Sequence, residues 1–181
     1  VGLEVAAPPR DREGDVVAFP RVAYPTYDVG ARLAGATPVA VDALTALGPP
    51  TAATTPKLLW LNTPGNPTGK VLGIEHLAKV VSWARQHGVV VASDECYLGL
   101  GWDAQPYSVL HPDVCDDDHT GLLAVHSLSK TSSLAGYRAG FVAGSKATIN
   151  GMPVTQGITF DTGNIVGNFD ATGLAEGGYD V

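Results

Sequence analysis

Short apolar runs, broken by glycine, proline and polar loops, set the rhythm of this chain. Asp15-Val-Val-Ala-Phe19, Thr37-Pro-Val-Ala-Val41 and Lys57-Leu-Leu-Trp-Leu61 read as strands. Thr26 to Leu33 has mixed helical character and is closed by Gly35. The clearest helix is Ile74 to His87, where Ile74, Leu77, Val80, Val81 and Ala84 share one face and Gly88 supplies the stop. Val89-Val-Val-Ala92 and Leu122-Leu-Ala-Val125 show no polar alternation, as expected of strands covered on both faces. Phe141-Val-Ala143 is a last short strand, Gly99 to His119 a long loop, and residues 43–56 a loop with one turn. Strand, helix and strand at this spacing predict an α/β fold, a three-layer αβα arrangement with a mostly parallel sheet. From Ala147 the character changes. The last 35 residues carry much Gly, Thr, Asn and Asp, no Lys or Arg, and no sustained helical period, so this tail is expected to pack poorly.

Chemistry in an open α/β sheet gathers beyond the carboxyl ends of its strands. Three such ends carry polar residues directly after apolar runs, where a polar side chain needs a partner. They hold Asn66 in Asn62-Thr-Pro-Gly-Asn-Pro-Thr-Gly69, Asp94 and Tyr97 in Ser93-Asp-Glu-Cys-Tyr97, and Ser127 and Lys130 in Ser127-Leu-Ser-Lys130. Lys130 sits among small and hydroxyl residues with no neighbouring acid, and Arg138 follows before the Phe141 strand. A lysine amine attacks a carbonyl only when neutral, a state that desolvation or a nearby cation favours. Serine hydroxyls and a planar guanidinium suit a phosphate. Together the set fits pyridoxal 5'-phosphate (PLP). Asp94 would face the pyridine nitrogen, and Asn66 and Tyr97 the ring oxygen. Ser127 and Arg138 would take the phosphate and Lys130 the aldehyde, with Tyr24 stacked on the ring. Each residue alone has a plainer reading: an exposed loop lysine, a common turn at Asn66-Pro-Thr-Gly69, a helix-capping Asp94, a packing Tyr24. The combination outweighs these.

Composition narrows the class. Hydrophobic residues make up 45% and charged residues 16% of the 181, as in a soluble globular domain. The net charge of −7 argues against nucleic acid as the main partner. No apolar run approaches the ~20 residues that span a bilayer. Cys96 and Cys115 form neither a zinc-ligand spacing nor a disulfide framework, so a reducing cytoplasm is expected. Asp116-Asp-Asp118-His119 reads as a solvated loop rather than a metal site, and no metal is expected. Gly65-Asn-Pro-Thr-Gly69-Lys70 is not a phosphate-binding P-loop, because three residues rather than four separate its glycines and Val71 follows the lysine. His126 flanks the lysine strand, either as a packed histidine or as a group behind the site.

These stretches resemble the class I aminotransferases of PLP fold type I. Ser127 to Gly140 matches that family's lysine signature, and Asn66-Pro-Thr-Gly69 and Asp94-Glu-Cys-Tyr97 match its other two cofactor motifs. The separations, 94 − 66 = 28 and 130 − 94 = 36 residues, are also similar. The resemblance covers roughly residues 15–146. It implies that Lys130 is the catalytic lysine that holds the cofactor aldehyde and shuttles the proton. It also implies that Tyr24, Asn66, Asp94, Tyr97, Ser127 and Arg138 bind the cofactor, and that members form homodimers. Within the family the wording of Tyr24 to Ala36, Ser93 to Asp103 and His111 to Lys130 is most similar to actinobacterial succinyldiaminopimelate transaminases. That implies glutamate as amino donor, an oxo acid as acceptor, and a place in diaminopimelate and lysine synthesis.

Two departures follow from the same comparison. The family's amino-terminal glycine loop is not recognisable in Val1-Gly-Leu-Glu-Val5. The carboxyl-terminal small domain, with its carboxylate-binding arginine, is absent from this chain. Residues 1–146 are therefore expected to be a partial PLP-binding large domain, and 147–181 a divergent tail. Alternatives are a PLP-dependent carbon–sulfur lyase of the same fold, and a catalytically dead fragment that at most binds PLP.

Overall fold

A computed structural model of the chain describes residues 14–51, 53–137, 139–145 and 148, with 158–161 and 164–166 described by backbone alone. Its strands are β1 (Val16–Pro20), β2 (Thr37–Val41), β3 (Leu58–Asn62), β4 (Val90–Asp94), β5 (Leu122–Ser127), β6 (Gly140–Gly144), β7 (Ile158–Asp161) and β8 (Asn164–Val166). They form one sheet in the order β2-β1-β3-β4-β5-β6-β7-β8. Strands β1 to β5 are parallel to their neighbours. Strand β6 reverses against β5, β7 is parallel to β6, and β8 is antiparallel to β7. The mostly parallel α/β sheet expected from the sequence is thus present, with reversed pairings confined to its β6 end.

Alternation along each strand sorts the apolar side chains into two cores. Ala18, Leu59, Leu61, Val91, Leu122 and Ala124 point to one face, under helix α2 (Ile74–His87) and the short helix α3 (Pro112–Cys115). Val17, Phe19, Leu58, Trp60, Ala92, Leu123 and Val125 point to the other, under helix α1 (Thr26–Leu33) through Tyr27 and Ala31. Helices therefore cover both faces, which is the three-layer architecture. Helix α2 buries Leu77, Val80, Val81 and Ala84, the stripe its spacing predicts. Gly88 ends it at φ 64°, a left-handed conformation that costs glycine little, and its N–H caps Ala84 and Arg85. The next residue, Val89, bonds back to Ala84 before β4 begins.

A 3₁₀ turn at Leu44–Leu47 falls within residues 43–56, where one turn was expected, and α3 lies inside the long loop after β4, where no helix was expected. Helix α3 is four residues long, too short for a period; His111 accepts from the Asp113 N–H at its start, and Pro112 fills its first turn. Arg85 of α2 ties this loop down by donating to the carbonyls of Cys115 and Asp118. In the expected tail, β7 and β8 add two strands beyond β6. Among the described residues, no helix is long and apolar enough to cross a membrane.

Candidate active site

Strands β3, β4 and β5 lie side by side and end at one edge, with Asn62 in register with Asp94 and Asp94 with Val125. Alternation places Asn62 two residues past Trp60, Asp94 two past Ala92, and Ser127 two past Val125. Trp60, Ala92 and Val125 all belong to the α1-side core, so the three polar positions share that face.

Asp94 is the centre of this edge. Its Oδ2 accepts a 2.7 Å hydrogen bond from the Tyr27 hydroxyl, and its Oδ1 a 3.2 Å bond from the Cys96 N–H. Tyr27 is buried against Trp60, with ring centroids 5.0 Å apart. Burial, and then the Asp94 carboxylate, raise the Tyr27 hydroxyl above its usual range and keep it a donor. Burial, then Asp94, push the Cys96 thiol up to about 12, while Lys130 pulls it the other way.

Lys130 reaches the same loop from β5. It lies on helix α4 (Leu128–Thr131), where Ser127 Oγ accepts from the Ser129 N–H at 3.2 Å. The side chain is exposed, and its Nζ stands 5.7 Å from the centroid of the Tyr97 ring, within cation–π range. The lysine loop and the Asp94 loop therefore meet.

The Asn66 loop is tied in from the other side. Asn62 Oδ1 accepts the Asn66 N–H at 2.7 Å, while Asn62 Nδ2 donates to the Asp94 carbonyl at 3.1 Å. Thr63 N–H donates to that same carbonyl at 3.3 Å. A Cβ at Gly65 would lie 2.7 Å from Thr68 Oγ1 and 3.3 Å from the Asn62 carbonyl oxygen, so a larger residue there would have to shift the turn.

Of the predicted site residues, the structure gathers Asn66, Asp94, Tyr97, Ser127 and Lys130 at one edge. Tyr24 lies just before α1 and is 56% exposed, and the aromatic that touches Asp94 is Tyr27. Arg138 lies outside the described residues. Sequence reasoning passed over three participants: Tyr27, Asn62 and Glu95. Tyr27 carried a signal, since it and Ala31 form the buried stripe of α1. Asn62 is the last residue of an apolar strand, a place where a polar side chain must find a partner. Glu95 is fully buried beside Asp94 and pairs with His126.

These shifts make stability sensitive to alkali. Tyr27 and Cys96 both hold their protons more tightly when folded than unfolded. Above about pH 9 the unfolded chain releases protons that the folded chain retains, so unfolding becomes easier as pH rises. The urea midpoint is expected to fall between pH 9 and pH 11, and Tyr27→Phe combined with Cys96→Ser to flatten most of that fall. A midpoint that stayed level or rose in the unsubstituted chain would count against the Asp94 cluster.

An open α/β sheet with its polar loops gathered at the carboxyl edge is the architecture of a ligand-binding enzyme domain. The chain belongs to the aminotransferase class I and II family, whose model matches residues 10–160, and whose members depend on PLP. It is 72% identical over 130 residues to a probable aminotransferase of Mycobacterium tuberculosis, covering 72% of this chain and 30% of that protein. It is 54% identical over 136 residues to the 4-dedimethylamino-4-oxo-anhydrotetracycline transaminase of Streptomyces rimosus, covering 75% and 37%. A solved structure of a probable N-succinyldiaminopimelate aminotransferase from Thermus thermophilus superposes with a TM-score of 0.65 at 29% identity, covering 78% and 39%. The chain thus spans between 30% and 39% of the length of these proteins.

Proposed function

We propose that this chain forms the PLP-binding floor of an aminotransferase that moves an amino group between glutamate and N-succinyl-2-amino-6-oxopimelate. The observation that carries the cofactor reading is the approach of Lys130 Nζ to the Tyr97 ring, in the loop that Asp94 opens. The donor set fits PLP. Asp94 has one described donor on each carboxylate oxygen and is only partly buried, so it retains acceptor capacity. Lys130 is an exposed amine above the same loop.

Bound PLP supplies an aldehyde that holds the substrate nitrogen and a ring that takes up electrons released at the substrate Cα. The chain's own groups bind and steer it. Asp94 would accept the ring N–H. Asn66 and Tyr97 would serve the ring oxygen, Ser127 and Arg138 the phosphate, and Tyr24 the ring face. Lys130 Nζ would hold the aldehyde, and it is the chain's amine placed to move a proton at the substrate Cα. Tyr27 and the Cys96 N–H keep the Asp94 carboxylate aimed. The family's homodimer and a cytoplasmic setting belong to the same reading, for the whole protein.

The substrate assignment is supported by the likeness to the Thermus thermophilus enzyme and by the sequence wording of residues 24–36, 93–103 and 111–130. The Streptomyces rimosus relative is named for a tetracycline intermediate, so the acceptor needs a direct test. Full-length protein assayed with glutamate is expected to favour N-succinyl-2-amino-6-oxopimelate by at least tenfold in kcat/KM over other oxo acids. An equal or greater preference for a polycyclic ketone would overturn the assignment. Residues 1–181 alone are expected to bind PLP yet to give no measurable turnover, because the carboxylate-binding region of the family is not among them.

A further inference from the structure

Beneath the site, on the opposite face of the sheet, lies a second polar pair. Glu95 follows Asp94 and His126 precedes Ser127, so each neighbours a proposed cofactor residue but points the other way. The Glu95 carboxylate is 0% exposed. Its Oε1 accepts the Val109 N–H at 2.7 Å, on the α2 side of the sheet where Val109 is part of the core. Its Oε2 lies 3.1 Å from His126 Nε2, an ion-pair distance, and makes no aligned hydrogen bond. The His126 ring stacks on Phe141 at 4.7 Å and 13°, which fixes its plane. The backbone closes the same rectangle, since Glu95 N–H donates to the Val125 carbonyl at 2.8 Å.

A carboxylate removed from water in this way is costly unless something answers its charge. Among the described residues, His126 is the only cationic or N–H side chain that does so for Oε2. We propose that Glu95 and His126 are positioning residues, a brace that fixes the spacing between the Asp94 loop and the Ser127–Lys130 turn from behind. The inference rests on the cofactor reading above. Neither residue touches the cofactor. Their effect passes through the peptide links from Glu95 to Asp94 and from His126 to Ser127 and α4. A brace of this kind matters because the pyridine end and the aldehyde end of one rigid ring must be met at once.

The test adds PLP to the chain of 181 residues and reads the saturable visible band and its induced circular dichroism. His126→Phe keeps the ring and its stacking on Phe141 but offers Oε2 no donor. It is expected to weaken PLP binding at least tenfold and to reduce the induced dichroism of whatever PLP is bound. His126→Gln returns an N–H donor and is expected to restore both to within threefold. If His126→Phe alone does not fold, Glu95→Gln with His126→Phe removes the buried charge while leaving the brace broken, and the same losses are expected. Band and dichroism within twofold of the unsubstituted chain in the Phe variants would overturn the brace. So would equal losses in the Phe and Gln variants, which would mark a packing role alone. A chain that shows no saturable PLP band before substitution would instead remove the cofactor reading, and the brace with it.

Discussion

Lys130→Ala is expected to abolish the saturable visible band that appears when PLP is added to the chain, and to leave folding unchanged. The two halves of that result come from different observations. Lys130 is exposed and takes no part in either core, so its truncation removes no buried contact. Surface substitutions of this kind shift stability by about 0.5 kcal/mol or less. Its Nζ, by contrast, is the amine that stands 5.7 Å from the Tyr97 ring, in the loop that Asp94 opens. Other lysines, such as Lys57, Lys70 and Lys79, will react with PLP at high concentration. The measurement must therefore separate a saturable site from slow surface labelling. Borohydride reduction at one equivalent of PLP, followed by peptide mapping, should place the adduct on Lys130 alone. If the alanine variant kept the band at the same PLP concentration, Lys130 would not be the cofactor lysine.

The sheet was legible in the sequence because its strands are buried on both faces and leave unmixed apolar runs at β3, β4 and β5. Helix α2 was equally plain, since its stripe and its terminal glycine agree. The polar residues that end those strands were legible for a related reason: each breaks an apolar run at a carboxyl end. What stayed hidden depends on contacts between distant segments. Tyr27 and Asp94 are 94 − 27 = 67 residues apart, and only the packing of α1 over Trp60 brings the phenol to the carboxylate. Tyr24 is the aromatic expected to stack on the ring, and the aromatic that bonds Asp94 is Tyr27. Tyr24 stands exposed just before the helix, whereas Tyr27, one turn later, is buried. Glu95 was hidden by its neighbours. In Asp94-Glu-Cys-Tyr97 the eye goes to the first and last residues, while strand alternation turns the second towards the opposite core. The short helix α3 and the β7 and β8 strands are too brief for periodicity to reveal.

Asp94→Asn tests the other end of the cofactor reading, and the expected loss there is in affinity rather than in bond formation. The carboxamide keeps the size of the side chain and one oxygen that can still accept from the Tyr27 hydroxyl. Its NH₂ group, however, turns a donor towards the Cys96 N–H, where the carboxylate offered an acceptor. That exchange should cost stability about 1–2 kcal/mol. The larger consequence is loss of the charge opposite the pyridine nitrogen. A hydrogen bond to a charged partner contributes about 1.5–3 kcal/mol, so PLP should bind roughly 10- to 150-fold more weakly. The two effects separate with a ring analogue of PLP in which carbon replaces the pyridine nitrogen. For that analogue the asparagine variant and the unsubstituted chain should bind alike, because Asp94 then has no ring N–H to accept. If the asparagine variant lost the same factor with both compounds, Asp94 would be shaping the loop rather than holding the ring. Its bonds to Tyr27 and Cys96 would then be its whole role.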